Sequence, residues 1–155
     1  MAVIENDTLH YYRVLKDESF IHNNMTFIAV KIYQSANERA KEKNRLNELD
    51  MFTAKCNNLL NQLKTSNNQI YIELEPIMHK IRKCVLDNNC EEIYFSNDIY
   101  GLLIECGFNI NWLTEPIHVI SKSIINAGIN NCKTIENEEL YLKLKDVMAG
   151  NVVDA

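Results

Sequence analysis

The side chains best suited to chemistry in this sequence of 155 residues are five cysteines and four histidines. No two cysteines form a CxxC pair, and the tightest grouping of possible ligands is His79, Cys84 and Cys90. Their spacings of five and six residues match no closed zinc pattern, so we expect neither a metal site nor a cofactor. The odd cysteine count favours a reducing compartment, in which Cys56, Cys84 and Cys106 act as small apolar side chains.

Neighbouring carboxylates are the second group with chemical potential. Glu73 would meet Glu91 or Glu92 if residues 69–74 and 92–95 formed paired strands, and converging acids can hold the divalent cation of a nuclease. Solvated surface acids are far commoner than such sites. A metal-dependent nucleic-acid-processing enzyme is therefore the alternative hypothesis, and we predict no catalytic residue.

Several function classes lack the residues that they need. The four glycines are isolated from one another, which excludes a glycine-rich phosphate loop, and the GxSxG pattern of a hydrolase is absent. The net charge of -5 argues against non-specific attraction to nucleic acid. No apolar run approaches the roughly 20 residues that cross a bilayer, so we expect no membrane partner.

A basic stretch is the strongest candidate for a binding surface. Residues 37–45 contain no apolar stripe, and a helix that is polar on every side usually projects into solvent or meets a polar partner. The stretch also lies in the only net-basic part of the chain. The predicted binding residues are its four cations, Arg39, Lys41, Lys43 and Arg45.

The elements that position these residues begin with a β-meander over residues 1–34. Aromatic and branched side chains fill its strands, and the pair Asn23-Asn24 suits a two-residue hairpin turn. On the last strand, Ile28, Val30 and Ile32 share one face, which we expect to be the core side. The expected strands are 9–15, 20–22 and 25–33.

One long helix is predicted over residues 35–66, with a capping box at Ser35 and Glu38. Its second half carries an apolar stripe at alternating spacings of three and four, which could pack on the protein's own sheet or form a homodimer. The stripe comprises positions 46, 49, 53, 56, 60 and 63.

A mostly helical part is predicted over residues 69–150, followed by a frayed tail at 151–155. Short strands are expected at 69–74 and 92–95, and residues 108–112 are expected to be extended. Ser96 should cap one helix, Pro76 should lie in the first turn of another, and Thr134 should cap the last. A further helix is predicted over residues 114–127.

These patterns predict a single α+β domain: an N-terminal antiparallel β-meander, one long helix, and a mostly helical C-terminal part with one or two short strands. The leading functional hypothesis is a non-catalytic cytoplasmic protein that binds a protein partner, for example a regulatory accessory factor of a virus or phage acting in the host cytoplasm. The richness in Asn and Ile fits an AT-rich genome. A structural subunit of a viral or phage assembly is a further alternative, and net charge gives nucleic acid no support as a partner.

Overall fold

The computed structural model describes residues 1–88, 90, 92–129 and 136–155, and the chain divides into two compact units. The first, which we call the sheet unit, comprises residues 1–40 and 118–155. The second, the helical unit, comprises residues 41–117. The expected α+β class, with an N-terminal antiparallel β-meander, a long helix and a mostly helical later part, is confirmed. The single domain over residues 1–155 stays a prediction.

Within the described residues, the sheet unit is built around six strands with antiparallel pairing. They are β1 (Ala2–Glu5), β2 (Tyr11–Val14), β3 (Phe20–His22), β4 (Met25–Tyr33), β5 (Val119–Ile129) and β6 (Val152–Asp154). Strand β5 pairs along the whole of β4, while β2 and β3 pair with opposite ends of β4. Because a strand has only two edges, β2 and β3 must share the edge that β5 leaves open. Strand β1 then joins β2, and β6 joins β1.

The hairpin between β3 and β4 confirms the predicted turn. Asn23 and Asn24 have φ angles of 50° and 61°, which are the positive values that a two-residue turn of this kind needs at both positions. Asparagine adopts this left-handed region more readily than most residues. The pair therefore sets the register in which Phe20 lies opposite Phe27.

The core of the sheet unit lies on the predicted face of β4. Ile28, Val30 and Ile32 are all buried there. Helix α5 (Asn137–Val147) covers this face with Leu140 and Leu144, which are fully buried in the same apolar cluster. Burying one such side chain stabilises the fold by about 1.5–3 kcal/mol, so the contact between α5 and β4 is a major source of stability in this unit.

The reverse face of β4 is buried as well. Ala29, Lys31 and Tyr33 are all less than one-tenth exposed. The Lys31 ammonium and the Arg39 guanidinium lie 5.3 and 6.0 Å from the centroid of the Tyr33 ring, a cation–π arrangement. Burial on both faces explains why β4 reads as a nearly continuous apolar run instead of a strict alternation.

Helix α1 (Ala36–Ser66) confirms the predicted long helix, but its first half is not exposed on every side. Glu38 and Glu42 are only 8% and 4% exposed. The Glu38 carboxylate accepts a hydrogen bond from the backbone amide of His118 at 2.9 Å, and that of Glu42 accepts one from the Asn88 side chain at 3.3 Å. Of the two expectations for this segment, projection into solvent or contact with a polar partner, the second describes Glu38 and Glu42, because their buried carboxylates accept hydrogen bonds where an apolar stripe is missing.

The helical unit contains most of α1 together with α2 (Asn68–Asp87), α3 (Asn97–Glu105) and α4 (Asn111–Thr114). Only Asn67 separates α1 from α2. The two helices form a hairpin, because Lys64 and Tyr71 line one groove together with Cys56 and Arg82 farther from the turn. An aromatic group of Phe52, Phe108 and Trp112 lies in the core, and Phe52 is fully buried. The predicted cap of α3 is confirmed, since the Ser96 hydroxyl accepts a hydrogen bond from the Ile99 amide at 3.3 Å.

Four local predictions in the helical unit are wrong. Residues 69–74 belong to α2 instead of a strand, because Asn67 caps the helix and accepts a hydrogen bond from the Ile70 amide at 3.3 Å. Pro76 accordingly lies inside α2, well beyond its first turn. No strand forms among the described residues of 92–95, and α4 begins within the segment expected to be extended.

Two further corrections concern the sheet unit. The predicted helix over 114–127 is wrong, since residues 119–129 form strand β5. Spacings of three and four suggested a helix, but a period of two puts Ser121, Ser123 and Ile125 opposite the core residues of β4. The tail expected to fray instead contains β6, which pairs with β1. Thr134 lies outside the described residues.

Candidate functional site

The four predicted binding residues are confirmed as part of α1, but two of them are tied into the fold. Arg39 is half-buried against the Tyr33 ring in the sheet unit. Arg45 donates hydrogen bonds to the backbone carbonyls of Asn111, at 3.2 Å, and Glu115. Lys41 and Lys43 are exposed. A role for these four cations in partner binding stays a prediction, and the structure gives Arg39 and Arg45 a stabilising role inside their own units.

The acids of the alternative hypothesis do not lie on paired strands. Glu73 is exposed on helix α2, Glu92 is exposed just before α3, and Glu91 lies outside the described residues. Within the described ranges, no three Cys, His, Asp or Glu side chains are grouped in a way that would hold a metal ion. The premise that brought Glu73 and Glu92 together is therefore wrong.

Two pairs of cysteines come together in the helical unit. Cys84 and Cys90 form a disulfide, so the expectation that Cys84 is a free thiol is wrong. Cys56 and Cys106 are free and buried, as expected. Burial raises the pKa of both thiols, and in Cys56 the neighbouring Cys106 adds to the shift. Raised pKa values favour the protonated thiol over the reactive thiolate.

The disulfide also changes the argument about the compartment. Disulfides persist mainly in oxidising surroundings, so the odd cysteine count no longer supports a reducing one. The spacing of Cys84 and Cys90 contained no signal for this bond, because neither a secreted framework nor a CxxC motif accompanies it. Cytoplasmic localisation stays a prediction.

The apolar stripe of α1 is used inside the helical unit. Leu49 and Cys56 belong to its buried core, and Leu60 and Leu63 pack against that core. These side chains therefore pack within the helical unit. The expectation that the stripe packs on the protein's own sheet is wrong, because its partners in the buried core come from α2, α3 and the residues that follow α3. Dimerisation through the stripe stays a prediction.

Strand β5 forms a long edge of the sheet in the described part of the sheet unit. It is 11 residues long, and within the described part of the chain it pairs with β4 alone. Six consecutive pairs, from Phe27–Asn126 to Ile32–Ser121, run without a register shift. Backbone amides and carbonyls on the outer side of this regular stretch can accept another strand. We call this feature the β5 edge.

An apolar surface adjoins the β5 edge. Ile124 is 60% exposed and pairs with Ala29, so it points away from the α5 side of the sheet. On the same face, the rings of Phe20 and Phe27 stack with their centroids 4.9 Å apart, and Phe20 is 42% exposed. Lys122 is the charged residue of β5, and its ammonium pairs with Glu18 at 3.5 Å. The edge thus offers backbone hydrogen bonds beside exposed apolar side chains.

Sequence reasoning missed the β5 edge because residues 114–127 were predicted to be helical. The available signal was the period-two pattern of Ser121, Ser123 and Ile125 within a segment rich in branched residues. Comparisons with known proteins provide no further guide. No family model, curated protein or solved structure matches the chain. None of the helices in the described ranges combines the length and apolar character needed to cross a membrane.

Proposed function

We propose that the protein is a non-catalytic interaction protein that binds an extended segment of a protein partner at the β5 edge. In this binding mode the partner adds a strand to the sheet, and its backbone supplies most of the affinity. The observation that carries the proposal is the 11-residue edge strand, with a regular stretch from Ser121 to Asn126, that pairs on one side only within the described residues.

The composition of β5 supports this proposal. Proteins commonly protect exposed edges with short strands, prolines or several charged side chains. Strand β5 is long, contains no proline, and has Lys122 already paired with Glu18. Its two register shifts lie near its ends, outside the stretch from Ser121 to Asn126. An edge left open in this way is suited to pairing with another chain.

The side chains beside the edge indicate what the partner should look like. Ile124 and the Phe20–Phe27 stack form an apolar surface on one face of the sheet. Alternate residues of an added strand point to the same face. The partner segment should therefore be extended and carry apolar side chains at every second position.

Two variants matched in exposure test the proposal. Ile124 on β5 is 60% exposed, and Ile72 on α2 is 61% exposed. Affinity capture from extracts of the source organism should retain a protein with the wild type and with Ile72→Lys, and lose it with Ile124→Lys. Addition of the captured protein should slow hydrogen exchange in residues 119–129. We expect Ile124→Lys to weaken binding about tenfold or more, as for an apolar residue near the centre of an interface.

Three results would overturn the proposal. Capture that survives Ile124→Lys would show that the apolar face is not used. Slowed exchange outside 119–129 would place the partner elsewhere. Concentration-dependent self-association in analytical ultracentrifugation, lost in Ile124→Lys, would make a second copy of the chain the occupant, as in the structural-subunit alternative.

A further inference from the structure

A groove of about 400 Å³ lies between α1 and α2 in the helical unit. Its lining residues recur every three or four positions on each helix, from Thr53 to Lys64 on α1 and from Tyr71 to Arg82 on α2. This spacing places them along the facing sides of the helical hairpin. The volume falls within the range of about 300–1,000 Å³ that is typical of small-molecule sites.

The lining of the groove has an excess of positive charge. Lys64, His79 and Arg82 contribute cationic or titratable nitrogens, and Glu75 is the acidic residue in the lining. Glu75 already has two partners in the groove. The Tyr71 hydroxyl donates a hydrogen bond to the Glu75 carboxylate, and this bond raises the pKa of Tyr71. The His79 ring lies 3.8 Å from the same carboxylate. Neither Lys64 nor Arg82 has an ion-pair partner among the residues that the structure describes.

Arg82 is the most informative residue of the groove. Its Nε atom is buried and has no hydrogen-bond partner within the described ranges. A buried donor without an acceptor is unfavourable, and the described part of the fold supplies no acceptor to Arg82 at this atom. The guanidinium presents its donors in a planar fork that matches the oxygens of phosphate.

The second cation extends the binding surface along the groove. The hairpin runs α1 and α2 in opposite directions, so Lys64, near the end of α1, lies beside Tyr71 near the start of α2. Arg82 lies near the other end of the groove, close to Cys56. Cys56, which lies near Arg82, precedes Lys64 by eight residues on α1, which corresponds to about 12 Å of helix axis. This separation favours a linear ligand with several phosphates over a single phosphate.

We propose that this groove binds a short linear polyanion with at least two phosphate groups, held by Arg82 at one end and by Lys64 at the other. Met78 and Leu60 provide an apolar floor between the two cations, and Asn57 and Asn61 provide amide donors along one wall. This site is independent of the β5 edge, and the result at either one leaves the other unaffected.

Isothermal titration calorimetry with tripolyphosphate at physiological salt tests the site. The control variant is Lys55→Gln, because Lys55 is an exposed cation of α1 that does not line the groove. We expect Arg82→Gln to weaken binding about tenfold and Lys64→Gln several-fold, as expected for losing one charge-assisted contact. Lys55→Gln should bind like the wild type, and orthophosphate should bind the wild type more weakly than tripolyphosphate.

Lys64→Gln keeps the test decisive even if Arg82→Gln disturbs packing, because Lys64 is exposed and its loss leaves the core intact. Circular dichroism of each variant verifies the fold. No heat of binding to the wild type, or equal weakening by Lys55→Gln and Lys64→Gln, would overturn the proposal. The second result would mean that binding of the polyanion depends only on the overall charge of the protein.

Discussion

In the sheet unit the innermost side chains are branched aliphatics, such as Ile28 and Val30, packed under Leu140 and Leu144. The helical unit instead surrounds Phe52 with two other rings, with centroids 6.3 Å away in Phe108 and 5.4 Å away in Trp112. The first core joins segments from both ends of the chain, and the second forms within one continuous stretch. Long-range pairing thus creates an open edge, while local helix packing creates a groove.

The largest effect should come from the aromatic core of the helical unit. Phe52→Ala removes a fully buried ring that contacts Phe108 and Trp112 edge-on or tilted. We expect a loss of about 3–5 kcal/mol in the free energy of unfolding, measured by urea denaturation. The neighbouring Met51 is 65% exposed, so Met51→Ala should cost less than about 0.5 kcal/mol. Equal costs for the two variants would contradict the assigned core.

An intermediate effect should come from the disulfide that links the end of α2 to the following segment. Reducing the Cys84–Cys90 bond releases a loop with a sequence separation of six. The unfolded chain gains entropy, so we expect the free energy of unfolding to fall by about 2 kcal/mol. Trp112 fluorescence during urea denaturation, with and without reductant, measures the change in the helical unit.

The control for the disulfide is the double variant Cys84→Ser with Cys90→Ser, whose stability should not respond to reductant. Thiol labelling under denaturing conditions gives an independent count of the free cysteines. If labelling finds the same number of thiols before and after reduction, the bond does not form in solution.

The smallest effect should come from the contacts of Asp154, which hold the last strand, β6, in the sheet unit. Asp154 of β6 accepts a hydrogen bond from the Tyr141 hydroxyl and lies 3.0 Å from the Lys145 ammonium, and these contacts hold its pKa below the usual 3.8. The stabilisation is therefore full above the usual value and disappears as the pH falls through the lowered one. The groups are exposed, so the effect should be local and sensitive to salt.

Amide chemical shifts of β6, followed by NMR from about pH 6 to about pH 2, measure this release. Asp154→Asn should remove the transition while leaving the rest of the spectrum in place. A transition of the β6 amides that persists in Asp154→Asn would assign the pH dependence to another group.

Sequence patterns predicted the elements whose signals are local. The turn at Asn23-Asn24, the inward face of β4 and the Ser96 cap each depend on a few neighbouring residues, and each is confirmed. Residues 119–129 show the limit of this reasoning. Their spacing fits both a helix and a strand, and pairing with the distant β4 decides between them.

Neither candidate site could be predicted from the sequence, and the reason is the same for both. The β5 edge depends on the pairing of residues 119–129 with β4, and the groove depends on residues 69–74 being helical. Lys64 and Arg82 lie on different helices, so no sequence spacing links them. The four basic residues of 39–45 were easy to find because they are close together in the sequence. Their spacing did not show that Arg39 and Arg45 make contacts within the fold.

The division of the sheet unit into two segments has a consequence for the growing polypeptide. Strand β4 leaves the ribosome before the helical unit, and its partner β5 emerges only after all of the helical unit has been synthesised. Ribosomes add about 5–20 residues per second, so the apolar strand at the centre of the sheet spends seconds without that partner. A nascent chain at this stage exposes an apolar strand with an unpaired edge, which is the kind of segment that chaperones bind.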